Sequence, residues 1–210
     1  MDNILSLLIW VPILSGLTLL FFNKKSYFID AFNIIINSLV FALSVFLLLN
    51  FDTRSSNFQF VEILKWIPSL NINYYLGVDG ISTLLILLNT IIFLIVAFYN
   101  STLNLKKRNQ YYASFLIASG LTIGVFSALD AMLFYIFFEA LLIPMFIIIG
   151  VWGGPNRIYA AIKFFIYTFL GSVLLLISFL YINSSISSFS VLSFYEASFS
   201  LLEQKWLFVA

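Results

Sequence analysis

Apolar residues along this chain do not alternate with polar ones; over most of its length they run on without a break. Crossing ~30 Å of hydrocarbon takes ~20 residues of helix, and stretches of that order lie at 4–22, 28–49, 78–99, 111–129, 131–150 and 159–182. Barrel strands would alternate over shorter segments, so the runs predict helices. The expected fold class is all-α: a polytopic transmembrane bundle of about six helices filling residues 1–182, with 183–210 an outer loop followed by a new apolar run too short to span. The first stretch is read as a retained helix and not a secretory signal. Asp2 is acidic, and no small-residue cleavage site precedes Lys24.

Two connections are longer than turns. Residues 51–77 mix charge with Trp66, Pro68, Tyr74 and Tyr75, and "NFQFVEIL" alternates polar with apolar, as a short interfacial strand or hairpin would. Its aromatic residues suit the headgroup level. Residues 183–205 include the Ser-rich "NSSISSFSVLSF" and read as a loop with an amphipathic turn.

Composition sharpens this picture. At 62% hydrophobic and 9% charged, the chain is excluded from the water-soluble globular class. Net charge is +1, which offers no field for nucleic acid. With no Cys and no His, disulfides, thiolate or imidazole metal sites and iron–sulfur ligation are excluded, so any redox centre belongs to another chain. The 25 Phe residues and the abundance of Ile, Asn and Tyr suit an A+T-rich coding sequence of organellar type. If the N-terminus faces outside, the inner loops carry Lys24, Lys25, Lys106, Lys107, Arg108 and Arg157, against Arg54, Lys65 and Lys205 outside. That asymmetry sets the expected orientation.

Polar residues inside the apolar runs are the candidates for chemistry. Asp79 and Asp130 each precede a run and suit helix caps; Gly120 and Gly124 form a GxxxG that suits close helix packing. Asp30, Asn33 and Asn37 share a face near the inner end of the second helix, where headgroup contact and function are both open readings. Lys163 lies about one turn inside the sixth helix, on one face with Tyr159, Tyr167 and Gly171. It either snorkels to the interface or heads a polar strip entering the bundle. Glu139 is different. It lies about nine residues from one end of its helix and eleven from the other, too deep for a short side chain to reach water. An unpaired charge there costs at least a few kcal/mol, and burial favours the protonated carboxyl. Tyr135, one turn earlier, can donate to it, and Pro144 removes a backbone bond one turn later. A neutral interhelical hydrogen bond and a proton relay are the two readings, of which the relay is the expected one.

Three blocks, "LGVDGISTLLILL" from Leu76, "DAMLFYIFFEALLIPMFIIIGVWGG" from Asp130 and "RIYAAIKFFIYTFLGS" from Arg157, closely resemble the NADH dehydrogenase subunit 4 family of respiratory complex I, antiporter-like proton-pumping subunits of the membrane arm. The resemblance covers essentially the whole chain, more weakly in the first two helices. It implies that Glu139 matches the family's essential fifth-helix glutamate, whose partner is a seventh-helix lysine, and that Lys163 matches a basic position on the sixth. It further implies proton transfer along a central axis of Lys and Glu, within a fold of about fourteen helices containing two inverted repeats. NADH, FMN, iron–sulfur clusters and ubiquinone would sit on partner subunits, with no cofactor on this chain. The sequence departs from the pattern by stopping at "EQKWLFVA", where the seventh helix should begin. The expectation is the amino-terminal portion of a split subunit in the mitochondrial inner membrane, among other membrane-arm subunits and lipids, its remaining helices on a separate chain. A multi-subunit cation/proton antiporter subunit and a non-pumping scaffold remnant are the alternatives.

Overall fold

The computed structural model describes residues 3–21, 26–103 and 106–209 of the chain. Lys24 and Lys25 of the orientation argument, Asp2, Phe22 at the expected end of the first helix, and Ala210 lie outside the described residues. In chain order the elements are α1 Ile4–Phe21, α2 Ser26–Leu49, β1 Gln59–Ile67, a 3-10 turn at Pro68–Leu70, β2 Ile72–Val78, α3 Gly80–Ser101, α4 Arg108–Ser127, α5 Ala131–Trp152, α6 Arg157–Ile186, α7 Val191–Glu196 and α8 Leu201–Val209. The fold is thus a mostly helical membrane bundle, and the interfacial hairpin suggested by "NFQFVEIL" is present as β1 and β2, paired antiparallel. The region read as an outer loop is partly helical, since α6 runs on to Ile186 and α7 and α8 follow.

One expectation needs refinement. Among the described residues five helices, α1, α2, α3, α5 and α6, are long and apolar enough to cross a membrane, but α4 falls short in hydropathy although it has 20 residues. The reason is its position, because α4 packs against α1, α2, α3 and α5 and meets protein where the others meet lipid. Its buried side includes Ser114, Ser119, Gly120, Gly124 and Ser127. The hydroxyls of Ser114 and Ser127 donate back to the carbonyls of Gln110 and Ile123, at 2.9 and 2.8 Å, so no polar atom there needs water. A Cβ on Gly120 would stand 2.5 Å from the carbonyl oxygen of Ile9, and one on Gly16 2.8 Å from that of Ala113. Small residues on both sides let α1 and α4 touch backbone to backbone. Gly124 plays the same part toward α5, where a Cβ would meet the Phe137 ring at 2.7 Å.

Polar contacts tie the remaining helices together. Asp30 on α2 forms an ion pair with Arg108 at 2.6 Å and accepts from the Tyr112 hydroxyl at 2.7 Å. Asn37 donates to the Asn33 carbonyl at 2.8 Å, and both side chains are buried. The polar face of α2 therefore meets protein, where the headgroup reading placed it in lipid. Ser44 and Thr90 share a 2.7 Å hydrogen bond between α2 and α3, and Asn89 donates to the Ser119 carbonyl at 3.3 Å between α3 and α4.

The hairpin gathers the helix ends on its side of the bundle. Phe60 takes a positive φ of 53°, and the pairing register shifts between Gln59 and Glu62. Such a bulge re-aims the side chains that follow it, here turning Glu62 onto the face it shares with buried Leu76. Its carboxylate accepts from the Leu5 N–H at 2.8 Å, from the Ser6 N–H at 3.2 Å, and from the Ser6 hydroxyl. These are orphan donors of the first turn of α1. The Ser6 hydroxyl also lies 2.9 Å from that of Tyr74, which accepts from Trp10 Nε1 at 3.1 Å.

Candidate functional site: a carboxyl inside the bundle

Both caps expected from sequence are formed, and one of them sets the site. Asp79 accepts from the Ser82 N–H at 2.7 Å to start α3. Asp130 accepts from the N–H groups of Met132 and Leu133 at 3.0 and 3.1 Å to start α5. Its second oxygen accepts from the N–H of Asn73 on β2 at 3.1 Å. The short joint between α4 and α5 is further held by Leu129 N–H on the Tyr75 carbonyl at 2.8 Å, and by Ala131 N–H on the Phe189 carbonyl at 2.8 Å. Burial raises the Asp130 carboxyl above the ordinary aspartate range, and the three backbone donors partly offset that rise. The start of α5 is thus pinned to the hairpin and to the segment after α6.

From that anchored start, Glu139 follows eight residues after Ala131, ~12 Å along the axis at 1.5 Å per residue. α5 continues as helix through Pro144 to Trp152. α6 lies antiparallel to it, as ring contacts of Phe134 with Phe179 at 6.4 Å and of Phe146 with Phe165 at 5.8 Å demonstrate. Tyr135 faces both the Glu139 carboxyl and the buried hydroxyl of Ser172 on α6. Glu139 Oε1 is buried and has no hydrogen-bond partner among the described residues. Ser172 is the neighbour that sequence reasoning missed. Only the register of α5 on α6 reveals it, although its place in "LGS" marked it as a small polar residue.

Lys163 does not meet Glu139. It lies nine residues before Ser172 on α6, ~13 Å along the axis, and no ion pair joins it to a carboxylate among the described residues. Its ammonium instead lies over two rings, 5.4 Å from the centroid of Tyr159 and 5.8 Å from that of Tyr167. All three side chains are exposed. The buried residues of α6 are Ala161, Ser172 and Ser178 alone, so most of this 30-residue helix presents an uncovered face. In chemical terms the arrangement offers a carboxyl that can take up or release a proton, a phenol and a hydroxyl beside it, and a cation on the next helix at a different depth.

Comparison with known proteins places this geometry. Residues 128–210 match the transmembrane family described as NADH:quinone oxidoreductase/Mrp antiporter. The chain is 40% identical over 214 residues to NADH-quinone oxidoreductase subunit M of Rickettsia prowazekii, covering 99% of this chain and 43% of that protein. It is 40% identical over 208 residues to NADH-ubiquinone oxidoreductase chain 4 of Arabidopsis thaliana, covering 98% and 42%. The fold superposes on a chain of respiratory complex I from Thermus thermophilus with a TM-score of 0.84 at 23% identity, over 98% of this chain and 42% of that one. A chain of the Mrp complex from a Dietzia species gives 0.71 at 16% identity, over 89% and 20%. The chain spans about two-fifths of the length of these curated relatives. Over nearly its whole length, then, the chain is similar to part of subunits named for NADH:quinone oxidoreduction.

Proposed function

We propose that this chain supplies the amino-terminal helices of a proton-translocating subunit of an NADH:ubiquinone oxidoreductase, with Glu139 as the proton-relay carboxyl and Lys163 supporting the path. The observation that carries the proposal is Glu139 Oε1, buried without a hydrogen-bond partner in a membrane-crossing helix. A carboxyl so placed is costly when charged. It is relieved either by holding a proton or by meeting a cation from a helix packed on the uncovered faces of α5 and α6. Exchange between those two conditions is what a relay requires. The 40% identity to subunits named for NADH and quinone oxidoreduction supports the reading.

In this reading the missing cation is a lysine on a further helix of the subunit, packed in space against the uncovered faces of α5 and α6. Other membrane-arm subunits and lipids cover the rest of the bundle. NADH, FMN, iron–sulfur clusters and ubiquinone lie on partner subunits, because this chain has no His or Cys to ligate a cluster. The membrane is the mitochondrial inner membrane. The end carrying Lys106, Lys107, Arg108 and Arg157 faces inside, and the hairpin faces outside.

Glu139→Gln tests the proposal, since it keeps volume and hydrogen bonding but cannot exchange a proton. Proton pumping and coupled quinone reduction should be largely lost while the complex still assembles, with Glu139→Asp milder; wild-type rates and proton yield in the Gln variant would overturn the relay. A second reading, a cation/proton antiporter subunit, is supported by the structural match to the Mrp complex. Co-purification with NADH-oxidising and quinone-binding chains favours the first reading, and their absence from a native preparation favours the second. Unchanged pumping stoichiometry on neutralising Glu139 would favour the scaffold reading.

A further inference from the structure

Lys163 sits six residues after the first residue of α6, nearly two turns inside the helix. A lysine at that depth keeps its ammonium out of bare hydrocarbon in one of two ways. It extends its stem back toward the helix end and water, or it is solvated where it stands. Tyr159 lies one turn before Lys163 and Tyr167 one turn after it. An ammonium reaching for the Arg157 end would lie close to Tyr159 and far from Tyr167. Its distances to the two ring centroids are instead nearly equal, 5.4 and 5.8 Å, so the charge is held between the rings.

Packing does not account for those rings. Tyr159 and Tyr167 are each 67% exposed, so neither fills a core among the described residues. What they present to Lys163 is the negative face of an aromatic quadrupole on either side, and such a contact strengthens where water is excluded. Leucine would be as apolar and could not do this.

We infer that Tyr159 and Tyr167 are positioning residues that hold the Lys163 ammonium at its own depth on the open face of α6, away from the membrane surface. This rests on the reading of Lys163 as part of the proton path. The two rings then fix the level at which an acidic group or water chain on a helix packed against α6 meets the cation. Replacing them frees the side chain to snorkel and withdraws its charge from that level.

The test uses the complete complex in native membranes, with proton pumping, NADH-driven quinone reduction and the amount of assembled complex as readouts. Tyr159→Phe with Tyr167→Phe keeps both ring faces and should pump at close to the wild-type rate. Tyr159→Leu with Tyr167→Leu should slow pumping about five- to thirtyfold, from the usual strength of two such contacts, at normal assembly. Adding the Leu pair to Lys163→Ala should slow pumping no further than Lys163→Ala alone, as for residues acting through one group. If the Leu pair assembles poorly, each single Leu variant carries the test, with a slowing of about two- to fivefold. Equal slowing in the Phe and Leu pairs would overturn the inference by assigning the role to the hydroxyls. Wild-type pumping in the Leu pair, with Lys163→Ala slow, would overturn the inference and leave the role of Lys163 standing. Full activity of Lys163→Ala would remove the reading beneath it.

Discussion

Two glutamates in this chain illustrate how one side chain serves opposite ends in a membrane protein. Glu62 is buried with its carboxylate filled by the donors of the first turn of α1, whereas Glu139 is half-buried, with its Oε1 shut away from solvent and unfilled. The first is a structural acceptor. Removing it in Glu62→Ala strands two backbone N–H groups and leaves the Ser6 hydroxyl to Tyr74 alone, at a cost of about 1–3 kcal/mol. The thermal midpoint of the purified subunit in detergent should fall accordingly, and Glu62→Gln, which keeps an acceptor, should fall less. An unchanged midpoint in Glu62→Ala would show that α1 does not depend on this cap. Gly120 gives a second prediction at this scale. Its Cβ would sit 2.5 Å from a backbone oxygen that has little room to retreat, so Gly120→Ala should destabilise the subunit by about 1–3 kcal/mol. Gly171→Ala, where nothing lies within 4 Å, serves as the control and should leave the midpoint where it is.

Among the elements, the hairpin does the most organising. It caps α1 through Glu62, leads directly into α3, and reaches α5 through the Asn73 N–H on Asp130. Asp130→Asn separates two of these roles. The amide oxygen can still cap Met132 and Leu133, but its NH2 group would face the Asn73 N–H, donor against donor. α5 should remain helical while the hairpin loosens, read as faster amide exchange at residues 72–78 with unchanged exchange in α5. Equal protection in both elements before and after the change would refute the link. Asp130 also carries a sign for pH. Burial raises its folded-state value above the ordinary one, so its contribution is present at low pH and is lost as pH rises through the acid range just above the usual aspartate value. Over that interval stability should decline with rising pH in the wild type. Asp130→Asn should lose that slope; a slope that persists would assign it to another group.

Seen as a whole, the bundle packs around one central helix, and α6 is the least covered of its membrane-crossing helices. α1, α2, α3 and α5 enclose α4, while α6 leaves Ile166, Leu170, Leu174 and Ile177 exposed along its length. In a membrane, lipid and protein are both acceptable covers for such a face, and the unfilled Glu139 oxygen favours protein. A photo-reactive residue at Leu170, which is 60% exposed, should therefore cross-link in the native complex to the helices that complete the subunit. Adducts with lipid alone would count against the proposed partner. Because the chain contains no Cys, single-cysteine labelling provides an independent check. Ile166→Cys should be shielded in the complex and reactive toward a membrane-soluble thiol reagent once the partner is removed.

Whatever depends on neighbours along the chain is legible in the sequence itself. Long apolar runs require helices because hydrocarbon satisfies no backbone group; Asp79 and Asp130 stand where orphan N–H groups need an acceptor; and the depth of Glu139 follows from counting residues along its helix. The Gly120 and Gly124 pair likewise announces close packing, though not against which helices. Tertiary structure decides what lies across each gap. By sequence Glu62 is one more charge on an outer loop, and only the bulge at Phe60 turns it under α1. By sequence α4 is one more membrane span, and only its neighbours enclose it; Asp30 finds Arg108 across 78 residues of chain. Neither Ser172 beside Tyr135 nor the distance between Lys163 and Glu139 can be read from spacing. A helix's period specifies which side chains share its face, whereas the partner of that face is set by the register between helices far apart in sequence.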